Sequence, residues 1–172
     1  MKFEIAKSIE ILERTPQVLN SLLLGISEEW LFNNEGENTW SPYDVVGHLI
    51  QGEKTDWMNR TKIILSDKEN KSFEPFDRFA QMTAAKKPIN ELLDEFQELR
   101  TANILALKSM AITEEKLEMA GIHPALGKAT LKELLSTWVV HDLGHISQIS
   151  RVMARQYQEE VGPWAQYLGI LK

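Results

Sequence analysis

From Leu131 to Val152 the chain holds one spacing: Leu131, Leu134, Trp138, His141, His145, Gln148 and Val152 follow at steps of 3, 4, 3, 4, 3 and 4. That is the period of a helix burying one stripe, and a stripe this long needs other helices to cover it. Two of its members are histidines four residues apart. Side chains so placed are neighbours, with Cβ atoms about 5–6 Å apart. Two imidazole nitrogens can then meet on one metal ion. Inward-facing imidazoles need partners, because a buried polar group left unpaired is costly. A metal is one such partner; a hydrogen bond within the core is the other.

Three further segments have helical period. Phe3 to Leu24 carries Ile5, Ile9, Leu12, Leu19, Leu22 and Leu23. Thr15-Pro16 interrupts it with cap-then-first-turn chemistry, which predicts a kinked or restarted helix, and Gly25 suits its end. Ile26 to Thr39 reads as loop. The second helix starts at Ser41-Pro42-Tyr43-Asp44, an N-cap followed by proline and an acid. It passes through Val45, Val46, His48, Leu49, Ile50 and Trp57 to about Leu65. The third opens at Pro88 and runs on Ile89, Leu92, Leu93, Phe96, Leu99, Asn103, Leu107 and Met110 to about Ala111. The fourth starts in the capping box Thr130-Leu131-Lys132-Glu133 and ends near Gln158.

Ser66 to Lys87 lacks a clear period and is longer than a tight turn needs. It reads as a crossover whose Phe73, Phe76 and Phe79 pack on the bundle. Ile112 to Ala129 reads as loop, and the apolar tail Trp164 to Leu171 is expected to dock on the body. Ile26-Ser27-Glu28-Glu29-Trp30-Leu31 is echoed by Ile112-Thr113-Glu114-Glu115-Lys116-Leu117, a faint hint of two related hairpins. No stretch reads as a strand. The expectation is an all-α four-helix bundle with a long crossover between helices two and three, forming one domain over residues 1–172.

Charge and composition narrow the function. A net charge of −6 offers no basic stripe for nucleic acid and no attraction to an anionic membrane. Cysteine is absent, so disulfides, thiolate ligands and a cysteine nucleophile are excluded together. A bound metal would have to use histidine and carboxylate. Met1-Lys2-Phe3-Glu4-Ile5 is not the start of a signal peptide, and no apolar run approaches the ~20 residues that span a bilayer. The chain is expected to be cytoplasmic.

Three of the four histidines, His48, His141 and His145, lie on two helices able to face one another. Together they form a three-nitrogen set suited to Zn²⁺ or another late first-row divalent ion. A closed structural site would use four protein ligands. Three leave an open position where the ion can acidify water or polarise a carbonyl. The competing reading makes each a hydrogen-bonded core histidine. Asp142, one methylene shorter than the glutamate of an H-E-x-x-H protease helix, is either a general base or, more in keeping with its direction on the helix, a packing or ligand-orienting carboxylate. Glu53 is read as supporting the site or as a solvated helix position. Gln148 is read as core-edge packing or a ligand contact, His123 as a structural or surface residue or part of the site mouth, and Trp40, Trp57 and Trp138 as mostly core, with Trp138 near enough in sequence to His141 to wall the pocket.

The chain resembles the DinB/YfiT-like superfamily. The likeness rests on Thr15-Pro16, Trp40-Ser41-Pro42, His48-Leu49 with Glu53, His123-Pro124-Ala125-Leu126-Gly127, Thr130-Leu131, Leu134-Leu135, Trp138, His141-Asp142, His145 and Gln148-Ile149. It spans essentially the whole chain. The resemblance implies a four-helix bundle of up-down-down-up style, with a divalent metal held by three histidines. The matching positions are His48, His141 and His145. It implies zinc or nickel, and a homodimer such as many members form; manganese or iron are further candidates for the site. It also implies, for some relatives, transferase or isomerase chemistry with a low-molecular-weight thiol.

Three readings of function remain at this point. The first is a metal-dependent transferase or hydrolase acting on a small molecule, with a thiol supplied as cosubstrate by a chain that has none. The second is a non-catalytic bundle that binds a metal or small ligand as a sensor. The third makes the histidines purely structural.

Overall fold

The computed structural model describes residues 1–172. Its first helix is divided into α1 (Ile5–Leu12) and α2 (Thr15–Leu23). Pro16 causes the division: it has no N–H for the carbonyl of Leu12, four residues earlier. That freed carbonyl accepts instead from Arg100 Nη1 at 2.8 Å, a residue of a different helix. Gly25 follows with φ +78°, the left-handed conformation that ends helices. The expected loop contains a short helix, α3 (Glu28–Phe32).

The second bundle helix is α4 (Pro42–Thr55) continued by α5 (Trp57–Leu65). Its start is a complete capping box. Ser41 Oγ accepts from the Asp44 N–H at 3.2 Å, and Asp44 Oδ2 accepts from the Ser41 N–H at 2.9 Å. The helix breaks at Asp56 (φ −109°, ψ −84°), where no glycine or proline marks the sequence. The crossover carries one further turn, α6 (Ala80–Thr83), and leads to α7 (Ile89–Ser109).

Where sequence suggested only loop, the chain forms α8 (Glu114–Glu118) and a two-stranded antiparallel hairpin, β1 (Ala120–His123) and β2 (Gly127–Thr130). In β1 the buried residue is Gly121 while Ile122 faces out, so no apolar alternation marks the strand in the sequence. It is held in place by the crossover: Phe73 N–H donates to the Ile122 carbonyl and Ile122 N–H to the Lys71 carbonyl, both at 2.9 Å. Phe73 is buried there, whereas Phe76 is half-buried and Phe79 is exposed. At Gly121 an added Cβ would lie 2.3 Å from Phe73 Cε1 and 2.9 Å from the Lys71 carbonyl oxygen. Gly121→Ala is therefore expected to destabilise the protein by about 1–3 kcal/mol, as overpacked sites do. A urea titration read by circular dichroism would test it; an unchanged midpoint contradicts the contact.

The hairpin feeds straight into α9 (Leu131–Arg155), whose Thr130–Glu133 capping box is complete. After Gln156 the tail turns into two 3₁₀ segments, Gly162–Tyr167 and Gly169–Leu171. The second touches α9, but Trp164 and Tyr167 stay exposed, so docking is less extensive than expected.

The result is the all-α four-helix bundle the spacing predicts, built from α1/α2, α4/α5, α7 and α9. Helix α4 packs along α7, while α9 packs against α1, α4 and α5. The apolar core has two halves. One gathers Trp57, Ile104, Leu131, Leu135 and Trp138, with Trp57 and Trp138 stacked at 5.8 Å. The other gathers Leu19, Leu49, Phe96 and Ile149. Glu53, Arg100 and Asp142 each fall between members of the two halves on their own helix, and all three are buried. No helix is long and apolar enough to cross a membrane.

Candidate metal centre

His48 comes from α4, two turns past the Ser41 cap, and His141 and His145 from α9. The packing of α9 on α4 brings them together as the spacing requires. His141 Nε2 lies 3.1 Å from His48 Nε2 and 3.1 Å from His145 Nε2. The three donor atoms lie within 4.8 Å of one another. Donors about 2.0–2.1 Å from a shared ion, at angles of about 90–110°, sit about 2.8–3.4 Å apart. The two closest separations match that span.

Proton positions follow from the partners on the far side of each ring. His48 Nδ1 is 3.3 Å from the Arg78 carbonyl, which can only accept, so Nδ1 carries the proton and Nε2 is bare. His145 Nδ1 faces Gln148 Oε1 at 2.8 Å with the same consequence. Two lone pairs therefore converge on His141. Its own Nδ1 is buried without a partner. Whichever tautomer His141 adopts, the protein alone leaves a buried nitrogen unsatisfied or two bare nitrogens sharing one N–H. An ion accepting all three Nε2 lone pairs resolves the convergence, and the site fits a divalent metal.

Electrostatics keep the rings in the form a metal needs. Burial, reinforced by His145, pushes His48 down to about 4, against the pull of the Arg78 carbonyl. Burial, then His145, His48 and Arg100, push His141 down to about 3. Burial also lowers His145, opposed by Gln148 and Asp142. All three are neutral at pH 7, so little proton release opposes metal uptake.

The flanking residues divide clearly. Asp142 points away from the histidines into the core, where its carboxylate accepts from Arg100 Nη1 at 2.6 Å and Nη2 at 3.1 Å. It lies on the Arg100 side of α9, buried with no face toward the cleft, and so holds the helix rather than acting as a base. Glu53 is not solvated. It accepts from Arg100 Nη2 at 2.8 Å, Asn103 Nδ2 at 2.9 Å and Trp138 Nε1 at 3.2 Å. Burial works against the charge on Arg100, but Asp142 and Glu53 outweigh it and raise its pKa. This cluster clamps α4, α7 and α9 beneath the three imidazoles. Gln148 fixes the plane and tautomer of His145. Gln148→Ala is expected to weaken zinc binding about 10–100-fold, as loss of a ligand's outer hydrogen bond does. Isothermal titration would read this, and unchanged affinity would remove Gln148 from the site.

Aromatic rings wall the centre. Trp40 stands 4.7 Å from the His48 ring and 6.2 Å from His145, and Phe76 stands 5.5 Å from His48. Trp57, rather than Trp138, meets His141, at 5.1 Å. Two clefts open onto it. One of about 440 Å³ reaches all three histidines between Trp40, Arg78, Phe79 and Arg151. The other, of about 470 Å³, reaches His48 and His141 past Phe76, Arg78 and His123. His123 thus lines a site mouth, although its Nδ1 is engaged by the Ala125 and Leu126 N–H groups. Arg78, in the aperiodic crossover, left no signal in the sequence.

Residues 11–149 match the family model of the DinB superfamily. Among solved structures the chain is similar to YfiT from Bacillus subtilis, described as "a probable metal-dependent hydrolase with an unusual four-helix bundle topology". The two share 20% identity, with a TM-score of 0.74 over 88% of this chain and 86% of that one. No curated protein matches the chain in sequence.

Proposed function

This chain belongs to the DinB superfamily, and on that premise we propose that it is a metal-dependent hydrolase or group transferase acting on a small molecule. The proposed ligands are His48, His141 and His145, with zinc or nickel as the ion. The observation that carries the reading is the convergence of three Nε2 atoms, two with their lone pairs exposed by hydrogen bonds behind the ring. The description of YfiT as metal-dependent supports the same direction.

A bound divalent ion supplies Lewis acidity, which acidifies a water or thiol nucleophile and polarises a carbonyl. The chain supplies the rest. Three neutral imidazoles add no negative charge, so the full dipositive charge is left to act on the reactant. Trp40, Trp57 and Phe76 exclude water from three sides and lower the local dielectric, which strengthens every charge interaction inside. The clefts have the volume of a small metabolite rather than of a polymer groove. With no cysteine in the chain, a thiol nucleophile would have to arrive as a cosubstrate.

The test begins with metal analysis of protein purified without a metal-affinity tag. About one divalent ion per chain is expected, followed by metal-dependent turnover in ester and amide hydrolysis or in thiol conjugation. No ion, and no uptake on titration with zinc, nickel or manganese, overturns the reading. A stoichiometric ion with no turnover in any panel would favour a binding protein instead.

A further inference from the structure

The chain has six arginines, at 14, 60, 78, 100, 151 and 155. Five are engaged within the protein. Arg14 donates to the Glu10 carbonyl, Arg60 pairs with Asp56, Arg100 with Glu53 and Asp142, and both Arg151 and Arg155 with Glu35. Arg78 is the exception: its guanidinium makes no hydrogen bond or ion pair, although the residue stands at the candidate metal centre. Its carbonyl holds His48, and its side chain lines both clefts. The guanidinium carbon lies 4.9 Å from the Phe79 ring centroid and 5.8 Å from that of Trp40. Contact with aromatic rings leaves the N–H edge of a guanidinium free to donate.

A surplus cation at the mouth of a cleft is notable in a chain of net charge −6. In the first cleft the only carboxylate is Glu35, and Arg151 satisfies it through two 2.8 Å hydrogen bonds. Nothing in that cleft neutralises Arg78. A single planar fork matches a carboxylate, which it can hold through two parallel N–H···O bonds. In this cleft a phosphate dianion would call for further cations, and the one other arginine there is committed to Glu35; in the second cleft Arg60 pairs with Asp56, which leaves Lys128 as the one further cation.

Resting on the metal-centre reading above, we propose that Arg78 is the anion-binding residue of this site, holding the carboxylate of a small substrate whose reacting group lies over His48, His141 and His145. The substrate class is then an organic acid. The aromatic walls favour a flat or apolar body between its carboxylate and its reacting group.

The test uses benzoate and its neutral isostere benzamide as probes. Binding is followed by ¹⁵N-HSQC titration, on the full chain both zinc-loaded and chelated. Benzoate is expected to bind better than benzamide, and Arg78→Gln to weaken benzoate about 10–100-fold, the range of a charged hydrogen bond, while sparing benzamide. Arg78→Lys should recover part of the loss. Because the side chain is exposed, the variants are expected to melt as the wild type does. Equal benzoate binding by wild type and Arg78→Gln overturns the proposal, as does a wild type with no preference for benzoate. Inorganic phosphate binding more tightly than benzoate, with the same dependence on Arg78, overturns the carboxylate assignment. A failed zinc titration would refute the metal reading alone, since the chelated arm still decides Arg78.

Discussion

Replacing Arg100 with methionine is expected to cost about 3–5 kcal/mol of stability, the range for removing one partner of a buried ion pair. The loss would be a large part of the ~5–15 kcal/mol that holds a typical domain together. The guanidinium is 1% exposed and holds two side chains that are 0% exposed, Glu53 and Asp142. Without it both carboxylates remain in the core with no cation, and the Leu12 carbonyl freed by Pro16 loses its donor. Urea denaturation at pH 7 would measure the loss. Combining Arg100→Met with Asp142→Leu and Glu53→Gln should recover more than half of it. The glutamine keeps an acceptor for Trp138 Nε1, and no uncompensated charge remains. A single variant as stable as the wild type would show that the cluster contributes nothing to the fold. Where the single variant still folds, weakened zinc binding is also expected, because the cluster sets how α9 sits against α4 and so how His141 meets His48.

That cluster also marks where the sequence stops being legible. The α9 stripe, the Ser41 and Thr130 capping boxes and the restart at Pro16 are local, and each is readable from neighbours within a turn or two. The pairing of His48 with His141 was inferable because a bundle needs α4 and α9 to pack. The packing role of Asp142 was readable from its direction on the helix, but its partner, which is also that of Glu53, was not, since that cation is 42 and 47 residues away. A carboxylate beside a metal-type histidine pattern suggests chemistry, and one on an amphipathic helix suggests solvent. Only the position of Arg100 decides against both. The periodic reading also misjudged depth: Asp142, Leu135 and Ile149 are more deeply buried than His141 and His145, which sit at the cleft edge. Arg78 was invisible for a different reason. Its importance lies in what it fails to pair with, which no local pattern records.

His141→Ala is expected to reduce zinc affinity by at least about a hundredfold while leaving the bundle folded. Loss of an outer hydrogen bond alone costs up to about that factor, and this change removes a proposed ligand that stands 3.1 Å from each of the other two. The fold should survive because His141 Nδ1 has no partner to lose; the cavity left by the ring is offset by removal of an unsatisfied buried nitrogen. Metal-competition titration measures the first effect, and the pH dependence of stability in chelated protein measures a second. His48 and His141 are lowered to about 4 and about 3 from 6.5. Their contribution to stability is therefore present above pH 6.5 and is lost as pH falls through those folded values, since the unfolded chain takes up protons first. Each histidine adds a slope of about 1.4 kcal/mol per pH unit in the window between. His141→Ala should flatten the curve between about pH 6 and pH 4 by nearly one such slope. Unchanged zinc affinity would exclude His141 as a ligand. Lost affinity with an unchanged pH slope would leave it a ligand whose ring is not held neutral by burial.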